Sequence, residues 1–179
     1  MRKARLPSVS VESLVAARER GFTLIELMTT LAVLIISLAL AAPALTSFVR
    51  SNRLNAAQSE LVSSLMLARS EAARLGTRVG VEASVAGFAG GWRVWVDADS
   101  SGTFSSGETI LREVPERGSN VTITTSPSVT GVVFNPNGFL AGGALVNFKL
   151  CGPTGVAKGY QIMLEPVGLS DITEVATCP

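Results

Sequence analysis

Glu26 is the one ionisable residue in the apolar stretch from Phe22 to Leu45. A carboxylate inside a membrane-length segment costs on the order of 2.5–3.5 kcal/mol on insertion scales, less near the interface, and so calls for a partner. A cut after Gly21 would create one. The new amine of Phe22 would lie one helical turn from Glu26, on the same chain or on a neighbour. A second candidate is Asp97-Ala98-Asp99-Ser100-Ser101-Gly102-Thr103-Phe104-Ser105-Ser106-Gly107-Glu108. It fits D-x-D-x-S-G-x5-E, a spacing that suits a hard cation such as Ca²⁺, with Asp97, Asp99, Ser101, Thr103 and Glu108 as ligands. Phe104 falls where such loops place an apolar residue. The other reading is a polar hairpin loop, because the sequence on both sides, Trp92–Val96 and Thr109–Val114, is strand-like.

Other chemistries are closed or weakly supported. The chain has no histidine, which excludes a histidine-based triad, a histidine-ligated zinc and a haem held by histidine. No nucleophile elbow, phosphate loop or dinucleotide fingerprint is present. Glu82, Glu113 and Glu116 stand alone and read as solvated residues. No enzyme is expected, and no cofactor beyond the Ca²⁺ that the acidic loop would hold. Cys151 and Cys178 are the only cysteines, and both follow the apolar run. They read most simply as one disulfide, which in the loop-entropy model contributes roughly 3–4 kcal/mol.

The elements that must carry these groups follow from periodicity and charge. Residues 1–21 hold five basic and two acidic groups, a local net of +3 that leaves −2 for the rest of a chain whose total is +1. The larger basic cluster precedes the apolar run, while Arg50 and Arg53 follow it. The leader is therefore expected in the cytoplasm and the C-terminal part outside. Phe22 to Leu45 has the roughly 20 residues a spanning helix needs. Beyond it, Leu54, Gln58, Leu61, Leu65, Ala68, Ala72 and Leu75 recur at steps of four and three, which predicts an amphipathic continuation. Gly76 is the expected C-cap, and Pro43 the expected point of bending. Eight short strands follow: 78–85, 92–96, 109–114, 121–124, 132–134, 145–150, 160–164 and 172–176. Gly87–Gly91 and Gly138–Gly143 read as turns, and so does Asn135-Pro136-Asn137-Gly138. The fold class is α+β, a long helix laid over one or two small antiparallel sheets. The segments are a leader (1–21), a transmembrane half-helix (22–45), an amphipathic half-helix (46–76) and a β-rich domain (77–179).

Three readings of the N-terminus compete. One is a plain signal anchor. Another is a secretory signal cut after Ala39-Leu40-Ala41. The third is a resemblance. Gly21-Phe22-Thr23-Leu24-Ile25-Glu26-Leu27, with basic residues before it and a spanning run after it, resembles the class III signal of type IV prepilins and type II secretion pseudopilins. That resemblance implies a prepilin peptidase that cuts after Gly21 and N-methylates Phe22, and it makes Glu26 the assembly carboxylate. Pro43 sits where pilin helices commonly carry a proline.

Later residues are similar to the GspH/FimT-type minor pilins. They are Arg53-Leu54-Asn55-Ala56-Ala57, Leu67-Ala68-Arg69-Ser70-Glu71-Ala72, Gly91-Trp92-Arg93-Val94-Trp95-Val96-Asp97 and Val133-Phe134-Asn135-Pro136-Asn137-Gly138. The resemblance implies a pilin-like fold and a structural subunit of a type II secretion pseudopilus or a type IV pilus. Its implied partners are other pseudopilins or minor pilins, the prepilin peptidase, the inner membrane and an assembly platform. The implied location is the inner membrane, single-pass, with the β-rich domain periplasmic. Some FimT-type pilins bind DNA through a Gly-Arg-x-Arg tail. The corresponding segment here, Gly168-Leu169-Ser170-Asp171-Ile172-Thr173-Glu174, lacks both arginines and carries two acids, so a phosphate partner is not expected. Arg112 and Arg117 are the remaining candidate contacts.

Overall fold

The computed structural model describes residues 21–116, 121–152, 158–176 and 178, with the backbone alone at Pro43. The basic leader before Gly21 and Arg117 lie outside the described residues. Helix α1 (Leu24–Leu75) has 52 residues and is helical through Pro43. Eight strands follow: β1 (Arg78–Ser84), β2 (Gly87–Asp97), β3 (Ile110–Pro115), β4 (Thr122–Ser126), β5 (Gly131–Phe134), β6 (Val146–Cys151), β7 (Gly159–Leu164) and β8 (Ser170–Val175). The chain divides into two compact units at Ala41/Ala42.

In the first unit, the described residues are the start of α1 and its approach. The helix is long and apolar enough to cross a membrane, and its most apolar window is not buried within the chain. Phe22, Leu24, Ile25, Met28, Val33, Ile36 and Leu40 are all exposed. Among the described residues of its unit such a surface has no partner, which is what a lipid- or helix-facing segment requires.

The second unit builds a core from the later part of α1 and two four-stranded antiparallel sheets, ordered β3-β2-β1-β5 and β4-β6-β7-β8. Leu54, Ala57, Leu61, Leu65, Ala68 and Ala72 form the buried stripe of the helix. Gln58 is half-buried and Leu75 is exposed, so the stripe begins to differ from the expected line where Ala57 takes the inward place. At 3.6 residues per turn, steps of four and three drift, and the small Ala57 admits the closer approach. Gly76 ends the helix with φ +65°, its N–H donating to the Ala72 carbonyl at 3.0 Å. This left-handed position is the cap that glycine supplies without steric cost.

Each of the eight expected strands is present, with two boundary differences of consequence. β2 starts at Gly87, not at Trp92, so Gly87–Gly91 is strand rather than turn. The reason is tertiary. Phe88, in that extension, packs edge-on against Phe148 of β6 at 5.1 Å between centroids and thereby joins the two sheets. β8 runs Ser170–Val175, two residues earlier at its start than the hydrophobic pattern marks, because Ser170 pairs with Leu164 of β7. Side-chain bonds pin the helix to both sheets. The buried Trp92 indole donates to Ser64 Oγ at 3.0 Å, and Tyr160 donates to Asn55 Oδ1 at 2.9 Å. Arg69 donates to the carbonyls of Gly138 and Val167 at 3.1 and 3.2 Å, so one guanidinium holds two turns. Cys151 and Cys178 form the expected disulfide, tying β6 to the C-terminal residues.

Candidate functional site

Two groups of residues can do chemistry, one in each unit. The first is the start of α1. Thr23 is its N-cap: the Thr23 hydroxyl accepts the Glu26 N–H at 3.3 Å and the Thr23 carbonyl accepts the Leu27 N–H at 3.1 Å. Thr23-x-x-Glu26 is the spacing of a capping box, a signal in the sequence that marks where the helix begins. Glu26 thus sits in the first turn, where its charge meets the positive end of the helix dipole. Gly21 and Phe22 precede the helix and are fully accessible, Phe22 at 81%. A Cβ built on Gly21 would meet nothing within 4 Å. Among the described residues nothing therefore demands glycine there. The geometry offers a peptide bond open to a protease, one turn from an exposed carboxylate.

The second group is the loop between β2 and β3. Carboxylate oxygens of Asp97, Asp99 and Glu108 lie within 4.8 Å of one another. Their hydrogen bonds are largely made by the loop itself. Asp97 accepts the Gly102 N–H at 3.2 Å, and Asp99 accepts the Ser101 N–H at 2.9 Å. Glu108 accepts Ala98 N–H at 3.1 Å on one oxygen and Ser105 N–H at 2.8 Å on the other. Ser101 and Thr103, the remaining candidate ligands, bond to each other, the Ser101 hydroxyl donating to the Thr103 carbonyl at 2.9 Å. The Ser101 N–H holds the Asp99 carboxyl below its ordinary value. Asp97 is fully buried, and an Arg78 nitrogen stands 3.8 Å from it while donating to the Ser100 carbonyl at 2.8 Å. Arg78 also donates to Asn135 Oδ1 at 3.3 Å, which fastens the loop to the Asn135 turn.

Phe104 explains why this loop folds back. Trp95 points to the face of its sheet away from the main core, yet it is fully buried. Phe104 covers it edge-on at 6.3 Å, and the Arg93 guanidinium lies 4.4 Å over the Phe104 ring. The apolar residue of the loop is thus a plug over a tryptophan. The remaining candidate contact for a polyanion, Arg112, donates to Ser63 Oγ at 3.0 Å on the helix. Asp171 and Glu174 are exposed on β8, and Glu174 pairs with Lys158 at 3.0 Å.

Residues 57–168 match the family described as type II transport protein GspH, and residues 16–42 match the prokaryotic N-terminal methylation motif. Among solved structures, the chain is similar to the type IV minor pilin FimU of Pseudomonas aeruginosa strain PAO1. In one crystal form the identity is 23% and the TM-score 0.58, over 70% of this chain and 92% of that one. In a second form the values are 22% and 0.56, over 67% and 92%. No curated protein matches the chain. The likeness to FimU is one of fold, a long N-terminal helix with antiparallel sheets, so the α+β architecture is pilin-like. With the GspH match spanning most of the β-rich domain and the methylation motif spanning the capped start of α1, the chain belongs to the GspH family of pilin-like proteins.

Proposed function

We propose that this chain is a minor subunit of a type II secretion pseudopilus or a type IV pilus, cut after Gly21, methylated on Phe22 and assembled through Glu26. The observation that carries the reading is the unburied apolar helix whose first turn holds the lone carboxylate. In the membrane, Glu26 is an expensive group; docked, it meets the Phe22 amine of a neighbour. The basic leader keeps the N-terminus cytoplasmic and places the β-rich domain in the periplasm. The assembly supports protein secretion in the first machine, and secretion-system or pilus genes beside this one tell the two apart.

Mass spectrometry of the mature N-terminus tests the processing step. The expected result is N-methyl-Phe22. A mature chain that begins at Ala42 would show a secretory signal instead. Because the space around Gly21 is open, Gly21→Ala is expected to be processed, whereas Gly21→Asp is expected to accumulate as full-length precursor.

The second reading, a DNA receptor, predicts retardation of duplex DNA that weakens with salt. The acidic surface of β8 favours the opposite, and no salt-dependent shift is expected from the purified protein. For the acidic loop we infer closure from within, with no resident ion. Both Glu108 oxygens already accept backbone N–H groups, and Arg78 lies beside Asp97. Calorimetry with Ca²⁺ is expected to show no heat, and melting in Ca²⁺ and in EDTA to coincide. A melting temperature raised by Ca²⁺ would restore the cation site of Asp97, Asp99, Ser101, Thr103 and Glu108.

A further inference from the structure

Two residues at the start of the apolar run, Gly21 and Thr23, are of the types that cap a helix. Which of them caps decides where the Gly21–Phe22 bond lies. The carbonyl of a capping residue accepts the first intrahelical bond, from the N–H four residues on. A cap at Gly21 would give that role to the scissile carbonyl itself, with Ile25 as its donor. The structure places the cap at Thr23. Its carbonyl accepts the Leu27 N–H at 3.1 Å, its hydroxyl accepts the Glu26 N–H at 3.3 Å, and α1 begins at Leu24. Gly21, Phe22 and Thr23 are exposed and non-helical. Phe22 and Leu27 hold the two positions that pack together in a hydrophobic staple. At 81% exposure, the Phe22 ring is not closed onto Leu27. The residues on both sides of the bond are therefore left out of the helix.

The placement bears on hydrolysis. Water adds across the amide: its hydroxyl goes to the Gly21 carbonyl carbon, the bond to the Phe22 nitrogen breaks, and that nitrogen takes the remaining proton and leaves as the new amine. The attacked carbonyl oxygen gains charge and must be met by donors of the enzyme. An Ile25 N–H already bonded to that oxygen would compete with them, and the first helical turn would have to open before the cut. Cleavage would then follow the fraction of chain that is open. Thr23 removes that step, because the first carbonyl the helix uses is its own.

We propose that Thr23 is a positioning residue for processing: by capping α1 it keeps the scissile Gly21 carbonyl outside the helix. This rests on the processing reading above and adds a requirement to it. Thr23 acts through the backbone, so what counts is a side-chain oxygen that accepts the Glu26 N–H, and not the shape of threonine.

Cleavage of the full-length chain by purified prepilin peptidase in mixed micelles tests it. Thr23→Val keeps the shape and loses the acceptor; Thr23→Ser and Thr23→Asn change the shape and keep an acceptor of a good capping type. Thr23→Val is expected to lower kcat/KM about fivefold, the factor that loss of a typical cap gives. The loss is expected in KM at unchanged kcat, because the bound chain is extended in every variant and only the competent fraction of free chain differs. Ser and Asn are expected to stay within about twofold of the native chain. Cleavage of Thr23→Val at the native rate overturns the proposal. So does a loss in Thr23→Ser and Thr23→Asn equal to that in Thr23→Val, which would mean that the peptidase reads threonine itself, and so does a loss confined to kcat. The mass of the mature N-terminus is read on the same samples. A native chain cut after Gly21 with Thr23→Val cut equally well removes the cap proposal alone, whereas a native chain that is not cut there removes the processing reading and the cap proposal with it.

Discussion

Glu26→Ala is expected to be processed and inserted normally and to be lost from the filament. Removing the carboxylate lowers the cost of placing this helix in lipid, so the membrane step is not impaired. The helix start also survives, because the cap is made by Thr23 and the first-turn charge contributes only about 0.3–1 kcal/mol. What disappears is the partner for a neighbour's Phe22 amine. Breaking a buried pair by removing one member costs about 3–5 kcal/mol, because the other charge is left uncompensated. At about 1.4 kcal/mol per factor of ten, that is roughly two to four orders of magnitude in the docking equilibrium. Glu26→Gln keeps the shape without the charge and is expected to fail as well. The measurements are the N-terminal mass, membrane fractionation and immunoblotting of sheared filaments. Normal incorporation of Glu26→Ala would sink the mechanism while leaving family membership untouched.

Gly80→Ala is expected to be among the most destabilising single changes in the β-rich domain. Gly80 of β1 pairs with Trp95 of β2, and a Cβ there would lie 2.1 Å from Trp95 Cη2 and 2.3 Å from Cζ3. An exposed ring would swing away. This one is fully buried and held by Phe104, so the plug and the acidic loop must move with it. Overpacking of this kind costs about 1–3 kcal/mol, occasionally more. Urea unfolding followed by tryptophan fluorescence reads the loss. Trp95→Leu alone leaves a cavity, but combined with Gly80→Ala it makes room for the new methyl group. The double variant is therefore expected to lose less stability than the two single changes together. Strict additivity would mean that Gly80 and Trp95 do not constrain each other.

The long apolar helix, its cap and its lone carboxylate were legible because each is a local signal. An apolar run of spanning length, a glycine after the last turn and a Glu in a greasy segment need no distant partner to be recognised. The eight strands were legible for a similar reason, since β-branched runs between turn residues announce themselves. The extension of β2 through Gly87–Gly91 was not legible. Glycine weakens a strand locally, and the contact of Phe88 with Phe148 across two sheets helps to offset it.

The acidic loop shows the same division. Its residue types and spacing suited either a cation or a hairpin, and no local argument separated them. Position decided what the side chains touch: Arg78 arrives from β1, and Phe104 reaches back onto Trp95. By itself, the sequence determined the class of protein, because the N-terminal motif that carries it lies in one short stretch of chain. Tertiary structure alone decided why Gly80 must be small and why Phe104 is in the loop. Each of those depends on residues far apart in the chain that meet only when the sheets are paired.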